Sequence, residues 1–108
     1  MSFELSADEK KILLSTARES IYSALTGEPP RYPEPTEQLQ ENCGAFVTLH
    51  KNGELRGCIG HIIAVNPLFT AVKELARSSA FEDPRFSQLN KSEFDAIDIE
   101  ISVLTPLE

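Results

Sequence analysis

A chain of 108 residues, 41% hydrophobic and 25% charged, has material for one compact core and too little for two, so a multidomain organisation is excluded. The net charge of -7 sets an average field that repels nucleic acid, and no basic cluster interrupts it, which excludes nonspecific DNA or RNA binding. No apolar stretch approaches bilayer-spanning length, and Met1-Ser2-Phe3-Glu4-Leu5 lacks the basic flank and apolar run of a secretory signal, so a cytoplasmic protein without a membrane segment is expected.

The first predicted element is a helix opening on Ser6-Ala7-Asp8-Glu9, where Ser6 can accept from the third helical amide while Glu9 reaches back to the cap. Leu13, Leu14, Ala17, Ile21, Ala24 and Leu25 recur at helical spacing, and Gly27 with Pro29-Pro30 ends the run. Residues 27–36 hold four of the seven prolines and read as an extended surface connection inside a single domain covering 1–108. Two apolar runs follow, Ala45 to His50 and Leu55 onward, separated by Lys51-Asn52-Gly53-Glu54. Asn-Gly there predicts a two-residue type I′ hairpin, because both central residues of that turn need positive φ. Asn66-Pro67 predicts a second helix with an amide cap and a first-turn proline, running to about Ala80 with Leu68, Val72, Leu75, Ala76 and Ser79 inward. Glu82-Asp83-Pro84-Arg85-Phe86 reads as a structured loop, Asn90-Lys91-Ser92-Glu93 as another capping box, and Ile97 to Val103 alternates as a half-buried strand.

The chemistry concentrates in Leu55-Arg56-Gly57-Cys58-Ile59-Gly60-His61. Two glycines beside an arginine inside a strand suggest a bulge or a close backbone approach. An uninterrupted hairpin register places Lys51 opposite Glu54, Leu49 opposite Arg56 and Val47 opposite Cys58, so that Arg56 and Cys58 share one face while His61 points to the other. Cys43 then falls near Ile62, too far along the strand from Cys58 for a bridge, and both cysteines are expected as thiols.

Each residue in this stretch carries two readings. Cys58 is either a small buried core residue or a nucleophile whose thiolate Arg56 stabilises. Arg56 either holds an anionic ligand through its planar fork or pairs internally with Asp98 or Glu100. His61 is a general base or a strand-end hydrogen-bonding group, and Asp83 with Arg85 either shapes a loop through an Asp side-chain turn or lines a pocket. His50 is expected to face solvent. Paired glycosidase carboxylates, a phosphate-cradling loop and a zinc cysteine pattern are missing from the sequence, so no metal site is expected.

Phe46-Val47-Thr48-Leu49, Leu55-Arg56-Gly57-Cys58-Ile59-Gly60, Asp83-Pro84-Arg85-Phe86 and Glu100-Ile101-Ser102-Val103-Leu104, in that order, resemble the AMMECR domain family over nearly the whole chain. The resemblance implies an α+β fold in which helices pack on a mixed, largely antiparallel sheet. It implies a cytosolic protein whose microbial relatives are encoded beside, or fused to, Memo-like and radical S-adenosylmethionine proteins, and it supplies no settled reaction or cofactor. By matching positions it directs attention to Arg56, Gly57, Cys58, Gly60, Asp83, Arg85 and Glu100 as a shared site. Family members continue past the final strand, so this chain, closing on Thr105-Pro106-Leu107-Glu108, is expected to lack their C-terminal portion, with Leu107-Glu108 either native or a vector remnant.

Two functions follow as expectations. One is a binding or enzymatic domain for a small anionic ligand, with Arg56, Gly57, Gly60, Asp83, Arg85 and Glu100 in binding and Cys58 and His61 in catalysis. The other is a non-catalytic interaction module for the Memo-like and radical-enzyme partners. A redox sensor is disfavoured because no resolving cysteine lies within reach. An open edge at the final strand suggests a homodimer.

Overall fold

The computed structural model describes residues 4–104; the closing residues 105–108, including Leu107 and Glu108, lie outside them. In chain order they form helix α1 (Ala7–Thr26), strand β1 (Gly44–Lys51), strand β2 (Glu54–His61), helix α2 (Leu68–Phe81) and strand β3 (Ile97–Leu104), with short 3-10 turns at Gln38–Gln40 and Lys91–Ala96. The strands make one antiparallel sheet in the order β2-β1-β3. The fold class is therefore α+β, as expected.

Local chemistry sets the element ends. Ser6 Oγ accepts from the Glu9 amide at 3.1 Å and the Glu9 carboxylate accepts from the Ser6 amide at 3.0 Å, closing the capping box of α1. Glu9 also accepts the Thr36 hydroxyl, which ties the far end of the proline-rich connection back to α1. Gly27 ends α1 at φ 78°, with its amide on the Ser23 carbonyl. Asn52 and Gly53 both take positive φ (53° and 80°), as a type I′ turn requires. The second helix departs from expectation in its cap: Pro67 is the N-cap and no side chain caps it, while Asn66 turns its carbonyl to the Cys43 amide instead.

Both helices lie on one face of the sheet. Ala45, Val47 and Leu49 of β1 meet Leu68, Val72, Leu75 and Ala76 of α2, with Leu13, Ala17 and Ile21 of α1, in one buried cluster. Leu14 is exposed and Ala24 lies outside the core, whereas Thr16 and Ser20 are fully buried. The reason is close helix approach: Ser20 Oγ donates to the Lys73 carbonyl at 2.7 Å and itself accepts from Arg77 Nε, so the α1–α2 seam uses small hydroxyl residues where the periodicity alone selects aliphatic ones. The opposite face of the sheet carries Phe46, Thr48, Cys58, Glu100 and Ser102 by strand alternation and register, and His50 on it is half-buried. Among the described residues, no helix is long and apolar enough to cross a membrane.

Candidate functional site

The glycine-bearing segment is an edge strand gripped by the end of α2. A Cβ at Gly57 would stand 2.1 Å from the Ser79 carbonyl oxygen, so only glycine lets the helix backbone lie directly on β2. The Ser79 hydroxyl enters the sheet at the same place, donating to the Val47 carbonyl at 2.7 Å and accepting from the Ile59 amide at 3.1 Å. That hydroxyl bridges two facing strands where the ladder would otherwise close on itself. Gly60 is seated against the Phe46 ring and the Ala45 carbonyl on β1.

The hairpin register differs from the uninterrupted one. Lys51 faces Glu54 as expected, but a bulge makes Arg56 the extra residue, so Leu49 pairs with Gly57 and Thr48 with Cys58. Placing Arg56 opposite Leu49 and Cys58 opposite Val47 is thus corrected, and the alternation that put guanidinium and thiol on one face is broken between them. Their side chains reach different partners. Arg56, 9% exposed, forks onto Glu93, with Nε on Oε2 at 3.0 Å and Nη2 on Oε1 at 3.1 Å. Lys51 Nζ joins the same Oε2 at 3.0 Å. The internal partner of Arg56 is therefore Glu93, and not Asp98 or Glu100. These contacts pull the Glu93 pKa down to about 2, the Arg56 fork first, with Lys51 and the Asn90 amide adding against burial. Arg56 Nη1 is buried and has no hydrogen-bond partner among the described residues.

Cys58 and the Asp83 loop form a second group. Cys58 Sγ lies 3.2 Å from Thr48 Oγ1, and the Cys58 amide donates to Asp83 Oδ2 at 3.0 Å. Asp83 is buried and takes Arg85 twice, Nε on Oδ1 at 3.1 Å and Nη2 on Oδ2 at 2.8 Å. It also accepts the Arg85 amide, which is the Asp side-chain turn expected of this loop. The Arg85 fork first, then the Cys58 and Arg85 amides, hold the Asp83 carboxyl well below the usual carboxylate range against the opposing effect of burial; Arg85 is raised in return. The Phe86 ring joins the two groups, its centre 5.9 Å from the Arg56 guanidinium carbon and 5.4 Å from that of Arg85.

The remaining candidates lie apart from Arg56. His61 is exposed at the end of β2, paired with Ala45, on the opposite side of the strand alternation from Cys58. Glu100 faces Thr48 across β1 and β3 and is exposed, so Cys58, Thr48 and Glu100 form a row across the uncovered face. Cys43 and Cys58 are both free thiols, and burial pushes the Cys43 thiol up. Sequence reasoning missed Glu93, Ser79, Thr48 and Phe86 as parts of this arrangement. Glu93 carried a signal, its capping box, which fixes its carboxylate beside Asn90; Ser79 was legible only as a helix-stripe residue.

The AMMECR1 family model matches residues 14–108. A protein of Methanothermobacter thermautotrophicus is 45% identical over 106 residues, covering 96% of this chain and 55% of its own. One of Methanocaldococcus jannaschii is 39% identical over 106 residues, covering 96% and 53%. The crystal structure of uncharacterized protein PH0010 from Pyrococcus horikoshii superposes with a TM-score of 0.86 at 36% identity, over 94% of this chain and 54% of that one. The chain spans about half the length of the relatives it matches.

Proposed function

The chain belongs to the AMMECR1 family, and we propose that it binds a small anionic group at the buried bulge of its glycine-bearing strand, with Arg56 as the recognising donor. The observation that carries this reading is Arg56 Nη1, a buried guanidinium nitrogen with no acceptor among the described residues. A buried donor left unpaired costs about 1–3 kcal/mol, which a ligand oxygen recovers on binding. Lys51, Arg56 and Arg85 pair with Glu93 and Asp83 and Lys51 also faces Glu54, so formal charge balances locally in a molecule of net -7 and recognition rests on the unpaired guanidinium nitrogen. Because Nη1 is buried, binding requires side chains packed around the Arg56 guanidinium to give way, and the nearby Phe86 ring is a candidate to move. Gly57, Gly60 and Asp83 enter this reading as residues that hold the strand and loop in place. Cys58 lies beside it, His61 and Glu100 lie apart from it, and none of the three has a role in recognition.

Thermal unfolding in inorganic phosphate, acetate and chloride at matched ionic strength tests the reading. The expected result is a saturable rise in midpoint with phosphate or acetate that Arg56→Lys abolishes, since lysine keeps the charge but has no spare nitrogen like Nη1 once it pairs with Glu93. An equal rise in chloride, or a rise that survives in Arg56→Lys, contradicts it.

A second reading, an interaction module for Memo-like and radical S-adenosylmethionine proteins, draws on Ile62, Ile63 and Val65, which are 78%, 71% and 62% exposed immediately beyond β2. Pull-down against such partners with Ile62→Ser/Ile63→Ser separates the two, because that pair leaves Arg56 untouched.

A further inference from the structure

A guanidinium carries two bidentate edges, one formed by Nε with Nη2 and the other by Nη1 with Nη2. Glu93 takes the first edge of Arg56, with Oε2 on Nε and Oε1 on Nη2. The second edge keeps Nη1 wholly unpaired and leaves Nη2 one proton beyond its bond to Glu93, in a residue that is 9% exposed. The two carboxylates of the arrangement have no capacity left to serve it, since a carboxylate accepts about four hydrogen bonds. Glu93 Oε1 also accepts the Asn90 amide at 3.1 Å, and Oε2 accepts Lys51 Nζ at 3.0 Å. Asp83 is filled in the same way, Oδ1 by the Arg85 amide and Nε, and Oδ2 by the Cys58 amide and Arg85 Nη2. Lys51 binds the oxygen that sits on Nε, so it stands at the end of the fork away from Nη1.

We infer that this second edge of Arg56 takes a small-molecule carboxylate, bound in the guanidinium plane with one oxygen on Nη1 and the other on Nη2; the inference rests on the anion reading above and names its ligand. Donor number selects carboxylate among the oxyanions. The edge offers donors to two oxygens, and among the described residues Arg56 Nη1 is the single buried side-chain nitrogen or oxygen without a partner. A carboxylate has two oxygens and satisfies that edge completely. Inorganic phosphate bound the same way brings its remaining oxygens into the site, where no other buried side-chain donor is unpaired to meet them. Charge acts in the same direction: Lys51, Arg56 and Arg85 are already matched by Glu93, Asp83 and Glu54, so one added negative charge costs less than two. Burial of Nη1 restricts the carboxylate to a small one.

Nitrogen-detected NMR of the unmodified chain, titrated separately with acetate, inorganic phosphate and chloride at matched ionic strength and mildly acidic pH, tests the assignment. Acetate and phosphate are both monoanions there, so charge is equal and the number of oxygens differs. Acetate should move Arg56 Nη1 and Nη2 together and saturably, with half-saturation about tenfold below that of phosphate, the factor that one oxygen left without a donor accounts for. Chloride should not saturate. Arg56→Lys keeps the charge and lacks the second edge, so its thermal midpoint should no longer separate acetate from phosphate. Equal half-saturation by acetate and either other anion, tighter phosphate, or a preference for acetate that survives in Arg56→Lys overturns the carboxylate assignment and leaves anion binding standing. Movement of Nη1 without Nη2 in acetate overturns the bidentate edge. Silence at Arg56 in all three titrations overturns both this inference and the reading it rests on.

Discussion

Gly57 stands where no side chain fits, because the Ser79 carbonyl occupies the Cβ position at 2.1 Å. Gly57→Ala must separate two packed backbones and should lower stability by about 3 kcal/mol, read as a reduced urea midpoint. Gly27→Ala meets no neighbour and carries only the strain of φ 78°, so it should cost about 1 kcal/mol. Equal losses at the two positions would remove the claim that helix contact, and not backbone freedom, selects glycine at 57. Arg56 shows the complementary limit of reading residues from sequence. Its type and surroundings marked it as paired or ligand-bound, but the partner was missed because Glu93 is fixed by a capping turn that comes next to the hairpin only after α2 and its following loop fold back. Lys51 and Glu54, by contrast, were legible because their pairing depends on the Asn52-Gly53 turn alone.

At the scale of elements, α2 is what turns an ordinary hairpin strand into the candidate site. The Ser79 hydroxyl supplies both the acceptor for the Ile59 amide and the donor for the Val47 carbonyl, so Ser79→Ala strands two backbone groups in the core. The expected loss is about 2 kcal/mol, with faster amide exchange at Ile59 and little change at β3; protection lost evenly over the sheet would contradict a local bridge. The capping boxes, the hairpin turn and the alternation of β3 were visible in the sequence because each is set within a few residues. The bulge at Arg56 was not located, since contact between α2 and the strand backbone fixes its position. The same applies to the α1 face, where Thr16 and Ser20 replace the expected Leu14 and Ala24: Ser20 gives its hydroxyl to the neighbouring helix, and Thr16 returns its own to the Ile12 carbonyl of α1.

For the whole molecule, the carboxylates that organise the site also set its response to acid. Glu93 falls from 4.5 to about 2 in the folded chain, and Asp83 and Glu9 are lowered as well. A carboxylate with a depressed folded value stabilises fully above its unfolded pKa and loses that contribution as pH falls through the folded one. Stability should therefore decline from the ordinary carboxylate range toward pH about 2. Glu93→Gln should lower stability at neutral pH by about 3 kcal/mol, because two cations lose their partner, and should flatten the acid decline. A decline as steep as that of the unmodified chain would show that Glu93 does not govern it.

On the proposed reading, Arg56 holds its buried, unpaired guanidinium nitrogen in reserve for an anion. Nitrogen-detected NMR of the arginine side chains during titration with inorganic phosphate tests this, because Arg18, Arg31, Arg56, Arg77 and Arg85 report separately. Saturable movement of the Arg56 Nη1 resonance is the expected result. Movement confined to Arg85, or drift at every arginine without saturation, would contradict it.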